Sequence, residues 1–186
     1  MGIMSHLKPN SSFDHVTLNA LKQNPALSRL IFTAQPRNEE EMATIIEPIL
    51  QAPQRCSVTP LYIQAIATEE TTILATNLGS AQDLQVTEKA ANWLVGRNAT
   101  CAITVAHRSI SRCHAVIGYY PSRDFYIADV GSSNGTWVNG RRLNRLERHL
   151  LQDGDLIKLG SLCVEFFAST GDRLSPEVNE ATATHH

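Results

Sequence analysis

The chain is predicted to be mainly β, a sandwich of antiparallel strands preceded by a small N-terminal helical segment. Three observations point there. Short runs rich in β-branched and aromatic residues recur from residue 61 to 168, separated by polar clusters that fall where strands should end. Asn139-Gly140, between Thr136-Trp137-Val138 and the residues that follow, is a strong two-residue hairpin signal. Residues 13–52 carry apolar side chains at helical rather than alternating spacing. The resulting plan is a flexible N-terminus (1–12), a helical hairpin extension (13–52), a linker (53–60), the sandwich (61–168) and a disordered tail (169–186).

Within the extension, Phe13 to Gln23 reads as a short helix. Asn24-Pro25 then starts another, with Asn24 as cap and Pro25 at the first position, and Leu27, Leu30 and Ile31 on one face. Asn38 and Glu41 resemble a capping box ahead of Met42, Ile45, Ile46, Ile49 and Leu50, a stripe at i, i+3, i+4, i+7, i+8. Pro48 should bend or shorten this helix, and Ala52-Pro53 to Thr59-Pro60 reads as linker. So small a unit needs a surface to pack on, either the β domain or another molecule. In the β region, Leu61–Ile66 and Thr71–Thr76 are expected to pair as a hairpin, with Asn77–Ser80 a turn. Further strands are expected at Leu84–Val86, Trp93–Val95, Ile103–Val105, Ala115–Tyr120, Phe125–Ala128, Thr136–Val138, Leu156–Leu159 and Leu162–Phe167.

Composition narrows the function. With 16 basic and 18 acidic residues, the chain has no general affinity for nucleic acid or an anionic membrane. Between Gly96 and Leu150, however, eight arginines face only Asp124, Asp129 and Glu147, making that window net +5 in a chain of net −2. A local cationic face suits a discrete anionic ligand, although Arg141–Arg148 fit a solvated strand edge equally well. Cys56, Cys101, Cys113 and Cys163 form no metal-binding pattern and are expected to be reduced thiols of an intracellular protein. No apolar run is long enough to span a bilayer, and residues 1–10 lack the apolar region of a signal peptide.

Four polar clusters carry the chemistry. They are Gly96-Arg97, Ser111-Arg112-Cys113-His114, Asp129 to Gly140 (Asp-Val-Gly-Ser-Ser-Asn-Gly-Thr-Trp-Val-Asn-Gly), and Leu151 to Asp155. Arg97 offers a guanidinium fork beside a glycine, Ser111 a hydroxyl, and Arg112 a second cation, as a dianionic phosphate ester requires. Taken in order, the clusters resemble the forkhead-associated (FHA) domain over about residues 61–167. The resemblance implies a non-enzymatic, cytoplasmic adaptor for a phosphothreonine-containing protein or peptide, acting downstream of a Ser/Thr protein kinase in the bacterial style. By the same resemblance Arg97 and Ser111 bind the phosphate with Arg112 beside them. Ser133 lines the pocket for the threonine methyl, and Asn134 bonds the peptide backbone. Gly96, His114, Gly135 and Asn139 shape the loops. Where the family often carries acidic residues just before this serine, the chain has Ala106 and His107, so the loop is more basic.

Other chemistries fit less well. Ser111 and His114 could pair as nucleophile and base, but no carboxylate is placed to orient the histidine and no oxyanion-hole motif follows. The Gly131–Gly135 loop lacks the Lys-Ser/Thr ending of a nucleotide-binding P-loop. No cofactor or metal is expected. The alternative is a scaffold whose helical segment docks a partner or a second copy, without dependence on phosphorylation.

Overall fold

The computed structural model describes residues 19, 21–68, 71–80, 83–88, 92–120 and 124–170. Most of the expected Phe13–Gln23 helix, and the tail beyond Thr170, lie outside these residues. Among the described residues, 19 and 21–23 are helical, and two helices follow them, α1 (Pro25–Ala34) and α2 (Glu39–Arg55). Twelve strands follow: β1 (Tyr62–Ala67), β2 (Thr72–Ser80), β3 (Asp83–Glu88), β4 (Asn92–Gly96), β5 (Ile103–Thr104) and β6 (Ala115–Tyr119). The rest are β7 (Phe125–Asp129), β8 (Thr136–Val138), β9 (Arg141–Arg142), β10 (Arg148–Leu150), β11 (Leu156–Leu159) and β12 (Leu162–Thr170).

The strands form two sheets, ordered β3-β2-β1-β12-β11-β8-β9 and β10-β7-β6-β4-β5. Between them lies a core that includes Ile63, Leu74, Trp93, Val95, Ile117, Phe125, Ile127, Ile157, Val164 and Phe166. Phe125 centres its aromatic cluster, with the Trp93 and Phe166 rings 6.4 and 6.0 Å away. Pairing is not wholly antiparallel as expected: β1 runs parallel to β12, and β4 parallel to β5. Both sheets are therefore mixed; in the larger one, β1 and β12 lie far apart in sequence and no hairpin dictates their direction.

α1 and α2 cap the start of their helices as their sequences dictate. Asn24 accepts from the amides of Ala26 and Leu27, and Asn38 from that of Glu41. The helices cover the outer face of the larger sheet, where Leu27, Leu30, Met42, Ile45, Ile46 and Ile49 pack on Ile66, Ile73 and Ala75. β1 is therefore buried along its whole length, one face on the other sheet and one under the helices. The apolar stripe of α2 is thus satisfied within the chain, Leu50 included at its margin.

Three local expectations need correction. α2 continues through Pro48 and past Ala52-Pro53 to Arg55. Tertiary contacts carry it: Ala52 is buried with Tyr62 and Phe167, and Arg55 bonds Asp153 while its guanidinium stacks 4.2 Å from the Phe167 ring centre. Asn77–Ser80 is extended strand rather than turn, with a register shift against β3 between Thr76 and Ser80. There the Asn77 amide serves the backbone, accepting from the Tyr62 N–H at 2.9 Å and donating to the Pro60 carbonyl at 2.8 Å. β10 had no sequence counterpart; Arg148, His149 and Leu150 lack an apolar alternation, yet they pair with β7 at the sheet edge.

Candidate phosphate-binding site

Four loops meet at one end of the sandwich, after β4, before β6, between β7 and β8, and between β11 and β12. Backbone bonds knit them directly. The Arg97 amide donates to the Ser111 carbonyl at 2.9 Å, and the Gly160 amide to the Gly135 carbonyl at 3.0 Å. Gly96 makes the first contact feasible, since a Cβ there would stand 2.2 Å from the Arg112 carbonyl oxygen.

Arg97 and Ser111 are therefore brought together. Arg97 is exposed and anchored only through Nε, which donates to the Ile110 carbonyl at 3.3 Å. Among the described residues no carboxylate pairs with Arg97, Arg108 or Arg112. The Ser111 hydroxyl accepts from the Ser133 amide at 3.0 Å and lies 3.5 Å from the Ser133 hydroxyl. A hydroxyl and guanidinium groups without a carboxylate partner, on converging loops, are the donor types that a compact anion requires.

His114 holds this loop from beneath. It is fully buried; its Nδ1 accepts from the Ser111 amide at 3.1 Å, which makes Nε2 the protonated nitrogen, donating to the Gly135 carbonyl at 3.1 Å. Burial pushes its pKa below 6.5, against the opposing pull of the Gly135 carbonyl and the Asp129 charge. The ring thus bonds the backbone of Ser111, and its partners leave no arrangement for activating the hydroxyl.

Asn134 was expected to face the peptide. Its Nδ2 donates to the Ser109 carbonyl at 2.9 Å, and among the described residues its Oδ1 and second N–H have no partner. Asn139 holds φ +49° at the β8–β9 turn. It bridges to β11, donating to Asp155 at 2.8 Å and accepting from the Leu156 amide at 2.9 Å. At Gly135, φ is +85° and an added Cβ would meet Arg142 Nε at 2.8 Å.

Two organising residues had no role in the sequence reading. Asp129 is buried and accepts from the Gly131 and Ser132 amides (2.7 and 2.8 Å) and the Ser132 and Thr136 hydroxyls (2.5 and 2.8 Å). Burial alone would raise its pKa, but the bonds from Ser132, Thr136 and Gly131 outweigh that and hold it below the usual carboxylate range. Its signal was an Asp two and three residues before Gly131-Ser132, the pattern of an Asx turn. Ser109 is the other. Its hydroxyl contacts His107 Nδ1 at 2.8 Å and accepts from the Ser161 amide at 3.1 Å, tying the β11–β12 loop to the site.

The FHA domain family model matches residues 93–160, from within β4 to Gly160 just after β11, and so takes in these loops up to the first residue of the β11–β12 turn. The chain carries an FHA domain. FHA domains are binding modules that read phosphothreonine through arginine clusters, not catalysts. Among curated proteins, the chain is 37% identical over 68 residues to the FHA domain-containing protein PS1 of Arabidopsis thaliana, covering 36% of this chain and 5% of that one. It is 35% identical over 81 residues to Smad nuclear-interacting protein 1 of Mus musculus, covering 37% and 21%. The chain thus spans about a fifth or less of these relatives' lengths. Among solved structures, an FHA domain of an Arabidopsis thaliana hypothetical protein is 33% identical, with 47% of this chain and 75% of that one covered and a TM-score of 0.41. The FHA-2 domain of a Mycobacterium tuberculosis ABC transporter is 32% identical, with 42% and 68% covered and a TM-score of 0.37. No described helix is long and apolar enough to cross a membrane.

Proposed function

We propose that this FHA domain binds a partner protein only when a threonine of that partner is phosphorylated, placing the chain downstream of a Ser/Thr protein kinase as an adaptor in the cytoplasm. One observation carries the reading: Arg97 and Ser111, on separate loops, converge, and among the described residues no carboxylate pairs with Arg97. Arg97, the Ser111 hydroxyl and Arg112 take the phosphate through charge-assisted bonds. Ser133, beside Ser111, lines the pocket for the threonine methyl. Asn134 uses its remaining Oδ1 and N–H on the peptide backbone, while its bond to Ser109 orients the amide. Gly96, His114, Gly135 and Asn139 hold the loops and touch no ligand.

Arg97→Ala or Ser111→Ala should each weaken binding of a phosphothreonine peptide by about 2–3 kcal/mol while leaving the unfolding temperature nearly unchanged. Because the site is exposed, affinity should also fall as salt rises. Isothermal titration with matched threonine and phosphothreonine peptides decides the matter. Equal affinity for the two would refute phospho-dependence.

A further inference from the structure

The Gly131–Gly135 loop has a second flank. Its centre, Ser133, meets Ser111, whereas its two ends border a cavity of about 390 Å³ lined by Gly131, Ser132, Gly135, Arg142, Asn144 and Arg145. Arg145 lies against Gly131 and Arg142 against Gly135: a Cβ at these glycines would stand 3.1 and 2.8 Å from the respective Nε atoms. The Arg142 guanidinium also sits 5.4 Å from the centre of the Trp137 ring, which limits its freedom.

Neither guanidinium has an acidic partner among the described residues. Asp129 also borders the cavity, but its oxygens are taken by Gly131, Ser132 and Thr136. Glu147 is held by Arg141 and by the Asn144 backbone and side-chain amides. Two exposed arginines, neither ion-paired among the described residues, thus share a concavity large enough for an anionic side chain, and its one bordering carboxylate, Asp129, is buried and turned to its own loop. Gly131 and Gly135 are each two residues from Ser133, a chain distance of about 7 Å. A peptide lying across this loop reaches both flanks.

We propose that Arg142 and Arg145 form a second anion subsite for the same peptide, holding a carboxylate or second phosphoryl group a few residues from the phosphothreonine. The subsite rests on the phosphothreonine reading. Its chemistry follows from the arginine fork, which bonds either oxyanion in two-point fashion.

The test is a titration of the full chain with three kinds of phosphothreonine peptide. One has neutral flanks, one set carries a single Asp at successive positions on either side, and one set carries a second phosphothreonine there. At one position or a short run of positions, Asp should tighten binding by about fivefold, and the doubly phosphorylated peptide should bind more tightly still. The R142Q/R145Q double variant should lose that gain yet bind the neutral-flank peptide as the wild type does. R142K/R145K, which keeps charge and stem but not the fork, should retain only part of it. Should no flanking acid help, or should the gain survive in the glutamine variant, the subsite is refuted while neutral-flank binding and its loss in R97A leave the main reading standing. Failure of the wild type to bind any phosphothreonine peptide would overturn both.

Discussion

His114 ties two of the site's loops together through one side chain. Buried and neutral, it spends both ring nitrogens on backbone, one from the Ser111 loop and one from Gly135. Because its folded pKa is lowered, the unfolded chain takes up this proton first as pH falls. Its contribution to stability is complete above 6.5, the ordinary value, and declines as pH drops from there toward the folded pKa. Urea unfolding between about pH 7.5 and pH 5 should show stability falling on the acid side, and His114→Asn should be less stable at pH 7.5 with a shallower slope. An unchanged slope in the variant would remove His114 as the cause. Asp129, also depressed, adds its own loss only at more acid pH, below about 4.

At the scale of elements, one carboxylate gathers the backbone of the segment that joins α2 to the sandwich. Glu165 of β12 is buried, and its Oε1 accepts from three successive amides, Ser57, Val58 and Thr59, at 2.8, 2.7 and 3.0 Å; Oε2 accepts from the Ser57 hydroxyl at 3.2 Å. Burial would raise its pKa, but the Val58, Thr59 and Ser57 donors prevail and lower it. Replacing it strands these donors, so Glu165→Ala should cost about 2–3 kcal/mol and speed hydrogen exchange at residues 57–59. Unaltered exchange there would mean that the segment is held by other contacts, such as Thr59 to the Cys163 carbonyl.

For the molecule as a whole, the helices and the recognition loops serve different surfaces. Ile46 is wholly buried where α2 meets the larger sheet, within the cluster that contains Ile66, Ile73 and Ala75. Ile46→Ala should therefore destabilise by about 2–4 kcal/mol in denaturant unfolding, with phosphopeptide affinity measured well below the transition unchanged. A parallel loss of affinity would show that the helical layer couples to the loops and contributes to recognition.

How much was legible beforehand follows from how local each determinant is. Gly96-Arg97, Ser111 to His114 and the Gly131–Gly140 run declare themselves because turns and phosphate receptors demand particular residue types at particular spacings. The Asn139-Gly140 hairpin and both helix caps are equally local, and each stands where the residues put it. Three features were not local. The stripe from Met42 to Ile49 announces an apolar face without naming what covers it, and only packing assigns it to β1 and β2. Pro48 and Pro53 argue against a helix that distant contacts nevertheless complete, and β1 runs parallel to β12 across a hundred residues of chain. Residue chemistry alone determined most of the strands, the Asn139-Gly140 turn and the types of group available to grip an anion, but neither β10 nor the extended course of Asn77–Ser80. Tertiary structure decided which of those groups meet, because convergence of loops depends on sheet order and long-range pairing, which no short window of sequence encodes.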